Sequence, residues 1–379
     1  MGYLIVYLPM LEGKRQKSPK NLTADAEGNT YTDAKAVAAA WEKFLSEKFK
    51  ATEAELQQRP EMTELPQADS VSNLTVKEIK AALAKMKLGK ACGPDDTPIE
   101  VYKCVPICEE LLVQLIQKIW HDEEVPINFA KATFVMLFKQ KGSPNDPTKY
   151  RCLGLLNHTY KVLTHCMLAR LEKETDGFLA DWQAGFRAGR GCRDNIMTLS
   201  TLIEDMMQQG KQLCLTFVDY SAAFDTVSHK FIDRALAEAN VSIKTRRMFR
   251  AIYAVASAMT RVQGVDGKTV YSESFPIRRG VIQGDITSPI YFVLALELIL
   301  RLHDQNSSKG VDFGGQRVHT LGYVDDEALV DHLPETSSDR VTAISVGSRD
   351  DADICVLDYC CDCDYCCCVL SGIHYCYCQ

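Results

Sequence analysis

The sequence predicts an α+β fold, with a few strands, antiparallel at least in part, backed by many helices. Three observations point there. Short apolar runs bounded by turn residues, "ATFVMLF" and "LCLTFVD", read as buried strands. Longer stretches carry apolar residues at helical spacing. Two strand-like segments end in acid, at Asp219 and at the adjacent Asp325 and Asp326 of "LGYVDDEAL".

In chain order, residues 1–70 mix charge, Pro and Gly and read as an extension or linker with one helical patch, "AKAVAAAWEKFLSEKF". Thr75 and Glu78 form a capping box opening a helix whose face is Val76, Ile79, Leu83 and Met86, with Gly89 as its stop. "CGPDDTP" is a turn, followed by an amphipathic helix near 99–120. "ATFVMLF" is a strand, "KQKGSPNDP" its turn, and "KYRCLGLLN" an extended segment leading into a helix. "DNIMTLSTLIEDMMQQ" is helical, "LCLTFVD" a strand, and 228–239 and 244–259 further helices. "VQGVDGKTVYSESFPI" alternates about a central glycine and predicts a hairpin. "SPIYFVLALELILRL" is a buried helix, and "RVHTLGYVDDEALVDHL" two short strands about an acidic turn.

The chain has 379 residues, 46% hydrophobic and 25% charged, ample for a core. Its net charge of −7 resides in its last part: from Asp331 onward there are nine acids and two bases, leaving 41 of each before it. The net acidity therefore does not exclude a basic groove in the body. Of 16 cysteines, nine crowd between Cys355 and Cys378, and the other seven are dispersed, as suits a reducing compartment. The tail 346–379 reads as a Cys-rich low-complexity segment, disordered, arising from translated simple repeat or a shifted frame; metal binding is the other reading, on the CxxC of Cys363 and Cys366. The opening "MGYLIVYLPM" lacks the marks of a signal peptide, and Val6 stands where myristoylation wants Ser or Thr. The expectation is an intracellular protein, nuclear or cytoplasmic, with no membrane span.

Adjacent aspartates repel each other's charge. A tight turn alone favours aspartate, but two acidic strand ends side by side would place three carboxylates together, a set that cations neutralise. Mg²⁺ is a hard ion that takes oxygen ligands, and a pair of such ions can hold the attacking and leaving oxygens of a phosphoryl displacement.

Six blocks then occur in an order that resembles the reverse transcriptases of non-LTR (LINE-type) retrotransposons, over roughly residues 20 to 345. They are "MKLGKACGPDDTPIEVYK", "VMLFKQKGSPNDPTKYRCLGLLNHTYKVL", "WQAGFRAGRGCRDNI", "FVDYSAAFDTVSH", "RRGVIQGDITSPIYF" and "YVDD". The resemblance implies a right-hand polymerase with fingers at 71–215 and a catalytic palm at 216–345. The palm sheet would be mixed or antiparallel and backed by helices, with the thumb missing after the YVDD motif. It implies RNA-directed DNA synthesis on an RNA template, with a DNA primer and dNTPs and no protein partner. Two Mg²⁺ ions, with Mn²⁺ as a substitute, would sit on Asp219 and Asp325, supported by Asp326. Phe224 takes the position of the aromatic gate against a ribose 2′-hydroxyl, where a packed core ring is the other reading. Lys139 and Arg151 match the triphosphate grip, or are ordinary surface bases. Gln283 and Gly284 match the loop against nucleotide and template. Arg187, Arg190 and Arg193 follow template phosphates or form a solvated basic face. Cys152, Gly154 and Ile286 depart from the pattern, and none is a metal ligand. A non-catalytic RNA-binding remnant of a retroelement is the alternative.

Overall fold

The computed structural model describes residues 33–52, 72–187, 189–264, 267–303 and 310–332, positions 22, 24, 30 and 31, and the backbone of 355–358, 367–370 and 373–378. Two sheets organise these residues. In the first, β1 (Lys131–Phe138) and β2 (Tyr150–Leu156) form an antiparallel hairpin, and β1 continues in parallel onto β4 (Ser257–Gln263). β4 pairs antiparallel with β5 (Thr269–Tyr271) and β6 (Phe275–Pro276), which is the hairpin expected around Gly264 and Gly267. In the second sheet β3 (Leu213–Ser221) pairs antiparallel with β10 (Asp326–Asp331), and β10 with β9 (Thr320–Tyr323). β7 (Val311–Phe313) and β8 (Gln316–Val318) make a separate small hairpin.

Helices supply the rest of the core. Thr75 caps the helix Val76–Lys85 with the expected box: its Oγ1 accepts from the Glu78 N–H and its own N–H donates to Glu78 Oε2. That helix ends at Met86, before Gly89, and turns Ile79, Ala82 and Leu83 inward while Val76 is exposed, against the expected face. The amphipathic stretch near 99–120 is two helices, Ile99–Cys104 and Pro106–Asp122, because Pro106 starts a new first turn where its missing N–H costs nothing. The helix expected over 244–259 stops at Val255, and Ser257 opens β4: the β1 edge captures residues that local pattern assigned to a helix. The helix Ser288–His303 is buried nearly all round, which explains its apolar sequence.

The N-terminal stretch is more than a linker. Its helix α1 (Ala34–Lys48) buries Trp41 and Leu45 completely, Trp41 stands edge-on to Tyr150, and Phe49 packs on Phe134. The tail expected to be disordered contributes strands β11 (Cys355–Asp358), β12 (Cys367–Leu370) and β13 (Ile373–Cys378). β11 and β13 pair with the second edge of β3, where open N–H and C=O groups accept a strand.

Candidate active site

The acidic turn is a two-residue hairpin loop. Tyr323 and Asp326 close it, leaving Val324 and Asp325 at its tip. Val324 sits at φ +65°, a conformation rare for a β-branched residue. β10 runs antiparallel to β3 in a register that pairs Asp326 directly with Asp219. Such partners lie about 4.5–5.5 Å apart at Cα. The register therefore brings two sequence-predicted acids together across 107 residues and puts Asp325 one residue away. Asp326 is exposed and Asp325 half-buried; the side chain of Asp219 lies outside the described residues. On the opposite face of β10, Glu327 is buried and accepts a 2.9 Å hydrogen bond from the Tyr220 hydroxyl. Burial, with the Glu327 charge beside it, pushes the Tyr220 pKa well above the usual phenol value, so it remains a donor.

After β3 the chain reverses at Ala222, left-handed at φ +51°, into the short helix Ala223–Thr226 that carries Phe224 and Asp225. Phe224 is half-buried and stacks on Phe292, with ring centroids 4.8 Å apart. The segment 280–284 lies against this helix: the Val281 N–H donates to the Phe224 carbonyl, and the Gln283 amide donates to Asp225 Oδ1 at 3.2 Å. The other oxygen, Asp225 Oδ2, takes Lys48 Nζ at 2.6 Å. Burial disfavours the Lys48 ammonium, but the Asp225 carboxylate outweighs it and the pKa is raised.

The 283–284 loop also touches the β1–β2 hairpin. The Gly154 N–H donates to the Gln283 carbonyl at 2.7 Å, and a Cβ on Gly284 (φ +109°) would come within 2.6 Å of the Gly154 oxygen. Only glycine suits that conformation and that approach. Asp285 anchors the loop from behind. It is buried and accepts from the Ile286 N–H (2.6 Å), Thr287 Oγ1 (2.8 Å) and the Tyr160 hydroxyl (3.2 Å). Burial raises its pKa, and those donors hold it down only in part.

Lys139 and Arg151 are both exposed at the turn end of the hairpin, next to the pair Phe138–Tyr150. Arg151 pairs with Leu137, so two-residue alternation puts Lys139, Leu137, Arg151 and Leu153 on one face. Leu153 is also the residue that a Gly284 side chain would meet, at 3.2 Å. Leu153 thus links the face that carries Lys139 and Arg151 to the 283–284 loop, and Val281 links that segment to the helix that carries Phe224.

The arginine block is used differently. Arg187 donates to the carbonyls of Ala180 and Gln183, and Arg190 pairs with Asp181, so both brace the loop that carries them. Arg193 is exposed on the first turn of the helix Cys192–Gln208. Sequence reasoning missed Lys48, Asp225 as its partner, Gln183, and the Tyr220–Glu327 pair. All of them lay inside quoted stretches, but none was singled out there, because their partners are remote in sequence.

Hard carboxylate oxygens at the β3–β10 junction are the donor type that Mg²⁺ takes. Among the described residues, which do not include the Asp219 side chain, no group of three or more His, Cys, Asp or Glu forms a ready cation cluster. No helix of the described residues is long and apolar enough to cross a membrane.

The family model described as "Reverse transcriptase (RNA-dependent DNA polymerase)" matches residues 138–345. The chain is 24% identical over 284 residues to the "Retrovirus-related Pol polyprotein from type-1 retrotransposable element R2" of Nasonia vitripennis, covering 74% of this chain and 26% of that protein. It is 27% identical over 195 residues to the R2 polyprotein of Popillia japonica, covering 52% and 27%. To the "RNA-directed DNA polymerase from mobile element jockey" of Drosophila melanogaster it is 25% identical over 301 residues, covering 75% and 32%. It spans roughly a quarter to a third of the length of these relatives.

Proposed function

Because the chain belongs to the reverse transcriptase (RNA-dependent DNA polymerase) family, in the branch of the non-LTR retrotransposons, we propose that its β3–β10 junction performs RNA-templated DNA synthesis. The observation that carries this reading is the register pair Asp219–Asp326, with Asp325 at the adjoining turn. Families of this kind use divalent metal ions; the finer reading is two Mg²⁺, replaceable by Mn²⁺, held by Asp219, Asp325 and Asp326. When bound, such ions make a primer 3′-hydroxyl more acidic and neutralise the charge of departing pyrophosphate.

The chain's own residues bind and orient the nucleotide. Lys139 and Arg151, on one face of the hairpin, meet the triphosphate, Arg with a planar fork and Lys with a point charge. Gln283 and Gly284, anchored by Asp285, form the surface against which the base and sugar lie, and their backbone closeness to Gly154 ties that surface to the hairpin. Phe224, fixed by its stack on Phe292, stands beside the sugar and leaves no room for a 2′-hydroxyl. Arg193 adds a cation for template phosphate. Substrates are an RNA template, a DNA primer and dNTPs.

Primer extension on an RNA template with Mg²⁺ tests the reading. Wild-type chain extends the primer, and Asp219→Ala or Asp326→Asn abolishes extension without weakening RNA binding. RNA binding with no synthesis in the wild type would instead identify a non-catalytic RNA-binding protein.

A further inference from the structure

The block "WQAGFR" runs against the acidic hairpin. Gln183 is fully buried, and its side-chain amide spends both of its ends on one residue of the turn. Its Oε1 accepts from the Val324 N–H at 2.9 Å, and its Nε2 donates to the Val324 carbonyl at 3.3 Å. The same Oε1 also accepts from the Gly185 N–H at 2.8 Å. On either side the backbone follows: Gly322 donates to Trp182 O and accepts from the Ala184 N–H, both at 2.9 Å, while Asn195 Nδ2 donates to Gly322 O at 2.8 Å. The fit leaves no slack. A Cβ on Gly185 would lie 2.5 Å from Val324 N, and one on Gly322 would lie 2.7 Å from the Trp182 ring. The residue so gripped is Val324 at φ +65°, immediately before Asp325. A β-branched residue does not hold that conformation unaided.

From this geometry we infer that Gln183 is the positioning residue of the catalytic turn: its amide holds Val324 left-handed and thereby sets where Asp325 stands relative to Asp219 and Asp326. The inference rests on the polymerase reading for its consequence but not for its geometry. Arg187 and Arg190 belong to the same device. By holding the carbonyls of Ala180 and Gln183 and the side chain of Asp181, they stiffen the loop that presents the amide. Supporting residues of this kind typically change metal affinity or turnover by 10–100-fold when removed.

Two variants test it in the full chain. Gln183→Met keeps the volume and removes the amide. Gln183→Glu provides donor and acceptor only when its carboxyl is protonated; Arg187, which donates to the carbonyl of residue 183, is unchanged. Three readouts are taken: hydrogen exchange at the Val324 amide, Mn²⁺ binding by electron paramagnetic resonance without nucleic acid, and primer extension across Mg²⁺ concentration and pH. Gln183→Met is expected to accelerate Val324 exchange by about tenfold or more. It should raise the half-saturating Mg²⁺ and lower kcat, each by roughly tenfold, with the KM for RNA unchanged. Gln183→Glu is expected to approach wild type at low pH and lose activity as pH rises, a profile that general destabilisation does not give. Should Gln183→Met fail to fold, the pH profile and Val324 exchange of Gln183→Glu decide. Unchanged Val324 exchange in a folded variant would overturn the inference, whatever the activity. A wild type that neither extends primers nor binds Mn²⁺ through Asp326, while Val324 exchange still depends on Gln183, would sink the polymerase reading and leave the positioning role standing.

Discussion

Lys48 Nζ lies 2.6 Å from Asp225 Oδ2, joining the N-terminal helix to the helix that carries Phe224. The lysine side chain is 21% exposed and the aspartate 5%, so the pair is largely desolvated. Removing one member of such a pair leaves a charge without its partner, which costs about 3–5 kcal/mol when burial is complete and less here. Lys48→Met is therefore expected to lower stability by ~2–3 kcal/mol at pH 7. The folded pKa of Lys48 is raised, so the contribution is full below the unfolded lysine value and is lost as pH climbs through the folded value. Urea midpoints of wild type and variant should differ at pH 8 and draw together only in strong alkali. Equal midpoints at pH 8 would show the pair to be inert.

The departure at Gly154 has a physical reason. A Cβ there would stand 2.4 Å from Ile282 Cγ2 and 3.2 Å from the Gln283 carbonyl. Ile282 is buried and cannot swing aside. Gly154→Ala is expected to push the 282–284 loop away, costing ~1–3 kcal/mol as other overpacking changes do. The KM for dNTP should rise severalfold while RNA affinity holds. An unaltered KM would separate this loop from nucleotide binding.

Phe224 offers a choice between gate and core. If it excludes the 2′-hydroxyl, Phe224→Ala admits ribonucleotides, and the ratio of dNTP to rNTP incorporation falls at least about tenfold. Loss of its stack on Phe292 alone would lower thermal stability and leave that ratio where it was.

His229 packs on the rings of Phe249 and Tyr253, with its Nε2 2.7 Å from the Gly280 carbonyl. Burial pulls its pKa down to about 4, although the Gly280 contact works the other way. The unfolded chain thus binds a proton near pH 6.5 that the folded chain refuses until about pH 4. Stability falls as pH drops through that window. In His229→Gln the melting temperature should depend less on pH between 6.5 and 4; an unchanged slope would assign the loss to other groups.

The sequence made visible what local chemistry decides. Thr75 and Glu78 announced their helix because a capping box needs only three residues of spacing. Asp219, Asp325 and Asp326 stood out as strand-end acids, and the chain order of the six blocks pointed to a shared site. What stayed hidden is set by distant partners. Lys48 meets Asp225 across 177 positions and Gln183 meets Val324 across 141, and neither contact leaves a local pattern. The overrun helix at 244–259 failed for the same reason, since β1 claims Ser257–Thr260 from more than a hundred residues away.

Asp219 and the 324–326 turn are proposed to form one cation site. Substituting Fe²⁺ for Mg²⁺ and supplying ascorbate and peroxide releases hydroxyl radicals at the bound ion, and the cut positions are read by mass spectrometry. Cleavage near both 219 and 325, suppressed together by added Mg²⁺ and absent in Asp326→Asn, is the expected result. Cleavage at one segment alone, or cuts at both that Mg²⁺ does not suppress, would contradict it.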